Sequence, residues 1–134
     1  DAELALEAYG RHLGVAFQLV DDVLDYGASE DVMGKGVGDD FRDGKVTLPV
    51  ILAFARGSGQ ERDFWRSAVS GERASDEDLA RAIALLRETG ALADTIERAR
   101  HHGRRALDAL AAFPQGKAKA ALSEAVEFAG ARAY

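Results

Sequence analysis

The sequence predicts an all-α protein, a helical bundle in a single unit spanning residues 1–134. Three observations predict it. Only 2 prolines interrupt the chain, alanine and leucine are abundant, and apolar residues recur at helical spacing while no segment alternates as a strand would.

The stretch from about Leu4 to Tyr26 is apolar and free of proline, so it reads as one long helix. A loop rich in glycine and acids follows from Gly27 to Gly44. A second helix starts near Thr47, whose hydroxyl is placed to cap it, with Pro49 in the first turn where a missing N–H costs nothing. It runs through Val50, Ile51, Leu52 and Phe54 until Gly57-Ser58-Gly59 stops it. A short helix carrying Phe64 and Trp65 comes next, and Trp65 reads as a packing residue. Ser75 with Asp78 has the form of a capping box, and Leu79, Ala82, Ile83 and Leu86 then follow a helical period until Gly90. The next helix presents Leu92, Ile96, Ala99, Ala106, Leu107 and Leu110 on one side and ends before Pro114. The last repeats the pattern with Ala118, Ala121, Leu122, Ala125, Val126 and Ala129. The connections are short enough for antiparallel neighbours.

Bulk properties exclude several functions. A net charge of −6 argues against nucleic acid, whose phosphates reward a basic face. The absence of cysteine removes disulfides, thiolate nucleophiles and Cys-based zinc sites, and fits a reducing, cytoplasmic setting. No apolar run approaches the roughly 20 residues of a transmembrane helix. The first residues, Asp1-Ala2-Glu3-Leu4, lack the features of a signal peptide and enter directly into helical pattern without an initiator methionine. The chain is therefore expected to be cut from a larger protein.

The informative stretch is Leu13 to Tyr26. On a helix, Gly14, Gln18, Asp21, Asp22 and Asp25 share one stripe, while Val15, Ala16, Phe17, Leu19, Val20, Val23 and Leu24 cover the rest. Such a helix is expected to be buried on nearly every side, its polar stripe lining a cleft or cavity. Asp21 and Asp25 form an i, i+4 like-charge pair with no lysine or arginine within a turn. A hard divalent cation such as Mg²⁺ is the natural compensation, since it prefers carboxylate oxygen and shares its shell with substrate phosphates. The plainer alternative is a solvated acidic face. Downstream, Gly34, Gly36, Gly38 and Gly44 allow close backbone approach, and Lys35 and Lys45 bring positive charge beside the acids. Metal-binding acids next to lysines in a glycine-bearing loop suit a diphosphate.

Taken together, Phe17-Gln18, Asp21-Asp22, Asp25, Gly34-Lys35, Gly38, Asp40, Gly44-Lys45 and Thr47-Leu48-Pro49 resemble the second aspartate-rich region of the trans-isoprenyl diphosphate synthases. Gly90-Ala91-Leu92, the helix around Ala99-Arg100-His101-His102-Gly103 and the terminal Ala131-Arg132-Ala133-Tyr134 are similar to the long-chain bacterial members, such as octaprenyl and decaprenyl diphosphate synthases. The resemblance implies the C-terminal half of the isoprenoid synthase fold. It also implies Mg²⁺-dependent condensation of an allylic prenyl diphosphate with isopentenyl diphosphate, usually by a homodimer. Carried over residue by residue, Asp21 and Asp25 would face the metal, with Asp22 in support. Lys35 and Lys45 would contact the allylic diphosphate, Asp40 would stabilise that region, and Phe17 and Gln18 would lie toward the reacting end. For Phe17 a core aromatic is the equal alternative.

The second DDxxD spelling, Asp39-Asp40-Phe41-Arg42-Asp43, matches the family only at Asp40 and Asp43 and is not its first aspartate-rich motif. That motif, and the basic residues that grip isopentenyl diphosphate, belong to an N-terminal half not contained here, so the fragment is expected to be inactive alone. A non-catalytic partner subunit of a prenyl synthase is the alternative, although convergent carboxylates have no physical use in a purely structural subunit. His101 and His102 point about 100° apart on a helix and are read as ordinary surface or groove histidines. Arg132 lies near a C-terminus that turns toward the site in some family members, and is assigned no role.

Overall fold

The computed structural model describes residues 1–27, 38–70 and 74–132, and every regular element among them is helical. The elements are α1 (Ala2–Leu24), α2 (Asp39–Arg42), α3 (Leu48–Arg56), α4 (Gly59–Ser70), α5 (Asp76–Glu88), α6 (Ala91–Ala109) and α7 (Lys117–Ala131). The loop expected from Gly27 to Gly44 thus contains one helical turn, α2. The chain divides into two compact units, Asp22–Thr95 and Asp1–Asp21 with Ile96–Tyr134.

In the Asp22–Thr95 unit the helix ends follow local chemistry. Ser75 Oγ accepts the Asp78 N–H and the Asp78 carboxylate accepts the Ser75 N–H, closing the expected capping box. Thr47 occupies the N-cap position of α3 with Pro49 just inside, but its hydroxyl makes no capping bond. That hydroxyl is instead buried near the Tyr26 phenol, whose pKa is pushed up by burial and then by Asp25, a rise that Thr47 only partly offsets. At the end of α3, Arg62 donates to Phe54 O, which also accepts the Gly57 N–H, and to Ala55 O, each at 3.0 Å.

The core of this unit centres on Trp65, 1% exposed, with Tyr26, Phe41, Val50, Ala53 and Leu86. The Phe41 and Phe64 rings meet the indole edge-on at 6.1 and 5.3 Å between centroids. Ion pairs Arg42–Asp76 and Arg56–Asp94 tie segments distant in sequence across this core's surface.

The other unit has a smaller core of Tyr9, Ala106, Leu110 and Val126, flanked by Leu13, Phe113 and Leu122. Tyr9 donates its phenol proton to Leu122 O at 2.8 Å, joining α1 to α7. The expected inner face of α7 is only partly realised: Val126 and Ala129 are buried, whereas Ala118, Ala121 and Ala125 are exposed. Leu107, expected to pack on α6, is likewise 36% exposed.

The stretch from Leu13 to Tyr26, expected to be buried on nearly every side, is buried or half-buried except at Gly14, Phe17 and Gln18, and the part of α1 before it is more exposed. Tyr9, Ala16, Val20 and Val23 are buried, but Leu4, Leu6 and Phe17 are 62%, 47% and 43% exposed. Asp22, placed on the polar stripe, is among the buried residues. The cause is geometric: Asp22 sits about 100° around the helix from Asp21, so neighbouring positions in one motif meet different surroundings.

Candidate active site

Two clusters, one in each unit, contain Asp21, Asp25 and Asp40 of the acids that the sequence singles out, while Asp22 is buried on α1. In the Asp22–Thr95 unit the cluster is Asp25, Asp40 and Lys45. Asp25 lies just past the end of α1, where Gly27, at φ 82°, turns the chain. The Asp25 carbonyl accepts the Gly38 N–H at 2.6 Å and its carboxylate accepts the Asp40 N–H at 3.1 Å. Gly38, at φ 78°, is required here for two reasons. The left-handed backbone disfavours any side chain, and a Cβ would lie 2.4 Å from Leu79 Cδ1.

Helix α2 ends in a Schellman turn. Gly44 is left-handed at φ 73°, its N–H bonds to Phe41 O, and the Lys45 N–H bonds to Asp40 O. The turn brings Lys45 back over the start of α2, where its ammonium pairs with the Asp40 carboxylate at 3.2 Å. One local device therefore sets both the acid and the base.

The electrostatics of this cluster are unbalanced. Burial, and next the Asp40 carboxylate, push the Asp25 carboxyl up to about 6, although the Asp40 N–H opposes the shift. Lys45 is raised, chiefly by its hydrogen bond to Asp40. A carboxylate made reluctant to ionise by burial and by neighbouring negative charge is one that a cation would stabilise.

In the other unit, Asp21 has a cation that no reading of its own helix reveals. Arg132, which caps the C-terminus of α7, donates from Nη2 to Asp21 Oδ1 at 2.6 Å across 111 residues of sequence. Its guanidinium also lies 4.5 Å from the centroid of the Phe17 ring, one turn before Asp21 on α1. Phe17 is thus not a core aromatic among the described residues. It lines a shallow apolar groove of about 400 Å³ with Leu13, Gly14, Ala125 and Phe128.

Gln18 is exposed on α1. Lys35 and Gly34 lie outside the described residues. His101 is exposed, but His102 has a partner the sequence did not suggest: its Nδ1 lies 2.9 Å from His12 Nδ1. Both rings are held below the usual imidazole range, first by burial.

No group of three or more His, Cys, Asp or Glu side chains that could hold an ion is gathered among the described residues. Mg²⁺ does not need such a cage, since one or two carboxylates, water and substrate phosphate usually complete its shell. The carboxylate of Asp25, with negative charge beside it, fits an ion of that kind, and so does the oxygen donor of Asp21 in the other unit, each taken by itself.

The Polyprenyl synthetase family model matches residues 1–86. The chain is 42% identical over 122 residues to the octaprenyl diphosphate synthase of Haemophilus influenzae, covering 90% of this chain and 36% of that one. A decaprenyl diphosphate synthase from Rhodobacter capsulatus superimposes with a TM-score of 0.92 at 39% identity, over 100% of this chain and 41% of that chain. The polyprenyl synthase of Caulobacter crescentus, solved with calcium and isoprenyl diphosphate, gives a TM-score of 0.85 at 44% identity over 97% of this chain and 40% of that one. The chain thus spans little more than a third of the length of the curated relative and about two fifths of the two solved structures. With the all-α fold and the Phe17-to-Pro49 motif, these matches make it a member of the polyprenyl synthetase family.

Proposed function

We propose that this chain supplies one side of the active site of a trans-polyprenyl diphosphate synthase, which elongates an allylic diphosphate with isopentenyl diphosphate. The observation that carries this reading is the Asp25–Asp40–Lys45 cluster, found within the segment matched by the family model. In the proposed reaction the allylic C–O bond breaks and its electron pair leaves on diphosphate. The double bond of isopentenyl diphosphate attacks the resulting cation, and loss of a proton restores a neutral chain five carbons longer.

The residues here do electrostatic work. Asp21 and Asp25 would hold Mg²⁺, with Asp22 in support; when bound, the metal would withdraw charge from the departing diphosphate. Lys45, on an exposed side chain, can exchange the Asp40 carboxylate for a phosphate oxygen. Asp40 then positions both neighbours, through its N–H on one side and its carboxylate on the other. Lys35 is proposed as a second phosphate contact. Phe17 and Gln18 lie along the same helix toward the prenyl chain. The reading also expects a homodimeric, cytoplasmic enzyme whose remaining carboxylates lie on an N-terminal half, consistent with the greater length of the relatives.

A graft tests it. The chain replaces the matching two fifths of the Caulobacter crescentus enzyme, and prenyl transfer is assayed with farnesyl diphosphate, labelled isopentenyl diphosphate and Mg²⁺. The chimera is expected to make EDTA-sensitive product that Asp21→Ala abolishes, while the 134-residue chain alone makes none. A folded but inactive chimera, or vigorous product from the chain alone, would overturn the reading.

A further inference from the structure

Arg132 makes two contacts on α1 at once. Nη2 donates to Asp21 Oδ1 at 2.6 Å, and the guanidinium stacks over Phe17 at 4.5 Å. The two partners stand at i and i+4, on one face of the helix, so a single planar group can serve both. The pair is only part-exposed, at 30% for the Arg132 side chain and 39% for Asp21, so solvent screens it less than a fully exposed pair. Arg132 Nη1 is buried without a hydrogen-bond partner among the described residues. Such a group gives up little by moving, because its present position already leaves one donor unsatisfied.

A divalent cation and a guanidinium compete for the same carboxylate oxygen, and they repel each other when both are near it. Asp21 is also the first acid of the motif. We propose that Arg132 is the built-in counter-ion of Asp21, competing with the metal, so that metal occupancy at Asp21 releases the C-terminal end of α7 from α1. This rests on the reading of Asp21 as a metal ligand. Arg132 here is a positioning residue: it touches the acid and the ring beside it, and it governs when the acid is available.

The test measures metal binding directly. Mn²⁺ is titrated into the 134-residue chain and the free ion is followed by electron paramagnetic resonance. Arg132→Gln, and separately a chain ending at Ala131, are expected to bind Mn²⁺ about 3- to 10-fold more tightly than the parent, as loss of one competing ion pair implies. Arg132→Lys, which keeps the charge, should stay close to the parent. In the parent chain the ¹⁵Nε resonance of Arg132 should shift on adding diamagnetic Mg²⁺, and this shift should be missing in Asp21→Asn. If Asp21→Asn weakens Mn²⁺ binding while both Arg132 variants bind like the parent or more weakly, the competition is overturned and the ligand reading stands. If Asp21→Asn binds as well as the parent, or no form binds, the ligand reading itself fails and the competition with it.

Discussion

Asp40 donates its backbone N–H to the carboxylate of Asp25 at 3.1 Å, although the two residues belong to different segments and carry the same charge. The bond holds together two acids that would otherwise separate. Burial and the Asp40 carboxylate nonetheless push the Asp25 carboxyl up to about 6, from an ordinary value of 3.8, against the opposing pull of that N–H.

This shift makes stability depend on pH in a definite direction. Between pH 4 and 6 the folded chain holds a proton on Asp25 that the unfolded chain has released, so unfolding gives up a proton. The contribution is fully present below the unfolded value and is lost as pH rises through about 6. In metal-free buffer, urea midpoints of the parent should therefore fall relative to those of Asp25→Asn across this window. Parallel curves for the two proteins would contradict the shift.

The histidine pair carries the opposite sign. His12 and His102 are held below the ordinary 6.5 by burial, with His101, Arg105 and each other's ring or Arg11 adding repulsion. The unfolded chain then binds protons that the folded chain resists, so stability is complete above about 6.5 and is lost as pH falls through the lower folded values. His102→Asn should flatten the melting-temperature profile between pH 7.5 and 5, and His12→Asn should flatten it similarly because the two Nδ1 atoms lie 2.9 Å apart.

Lys45 is the cation of the proposed site that the described residues contain. In the active chimera, Lys45→Ala should lower kcat/KM by roughly 10- to 100-fold, since a single electrostatic contact to a departing group is commonly worth that order. Its circular dichroism should match the parent's, because Lys45 is exposed and its pair with Asp40 adds little stability.

Gly38→Ala separates conformation from charge. It changes no ionisable group, yet it places a Cβ at a φ of 78° and within 2.4 Å of Leu79 Cδ1. A loss of about 2 kcal/mol in urea denaturation is expected from the left-handed backbone and the displaced leucine together.

Trp65 gives a graded test of the core. Its Nε1 is buried without a hydrogen-bond partner among the described residues, so Trp65→Phe is expected to forfeit packing volume but no hydrogen bond. Trp65→Ala should cost about 3–5 kcal/mol, and Trp65→Phe about 1–2 kcal/mol. Equal costs would mean that the indole N–H is satisfied after all.

How much could be read in advance follows from the range of each interaction. The start of α5 was legible because Ser75 and Asp78 cap each other three residues apart, whereas the single turn of α2 lies in a stretch that reads as loop. The order of carboxylates, glycines and lysines from Phe17 to Pro49 carried the family, since the chemistry of a diphosphate site is written in residue types and spacing. Periodicity also marked Leu86 as core, and Trp65 reads as a packing residue. Periodicity misjudged Leu107 and the outer alanines of α7, because an apolar face is buried only where another element covers it.

Local sequence therefore determined the helices, their caps and the kind of chemistry their side chains can support, through forces that act within a turn or two of backbone. Tertiary structure alone decided which charges meet. Arg132 reaches Asp21 across 111 residues, and His12 reaches His102 across 90, because helix packing sets those distances and chain spacing does not. The same packing turned Asp22 inward and left Phe17 at the surface beneath a guanidinium, since each helical position is solvated or buried according to what lies opposite it.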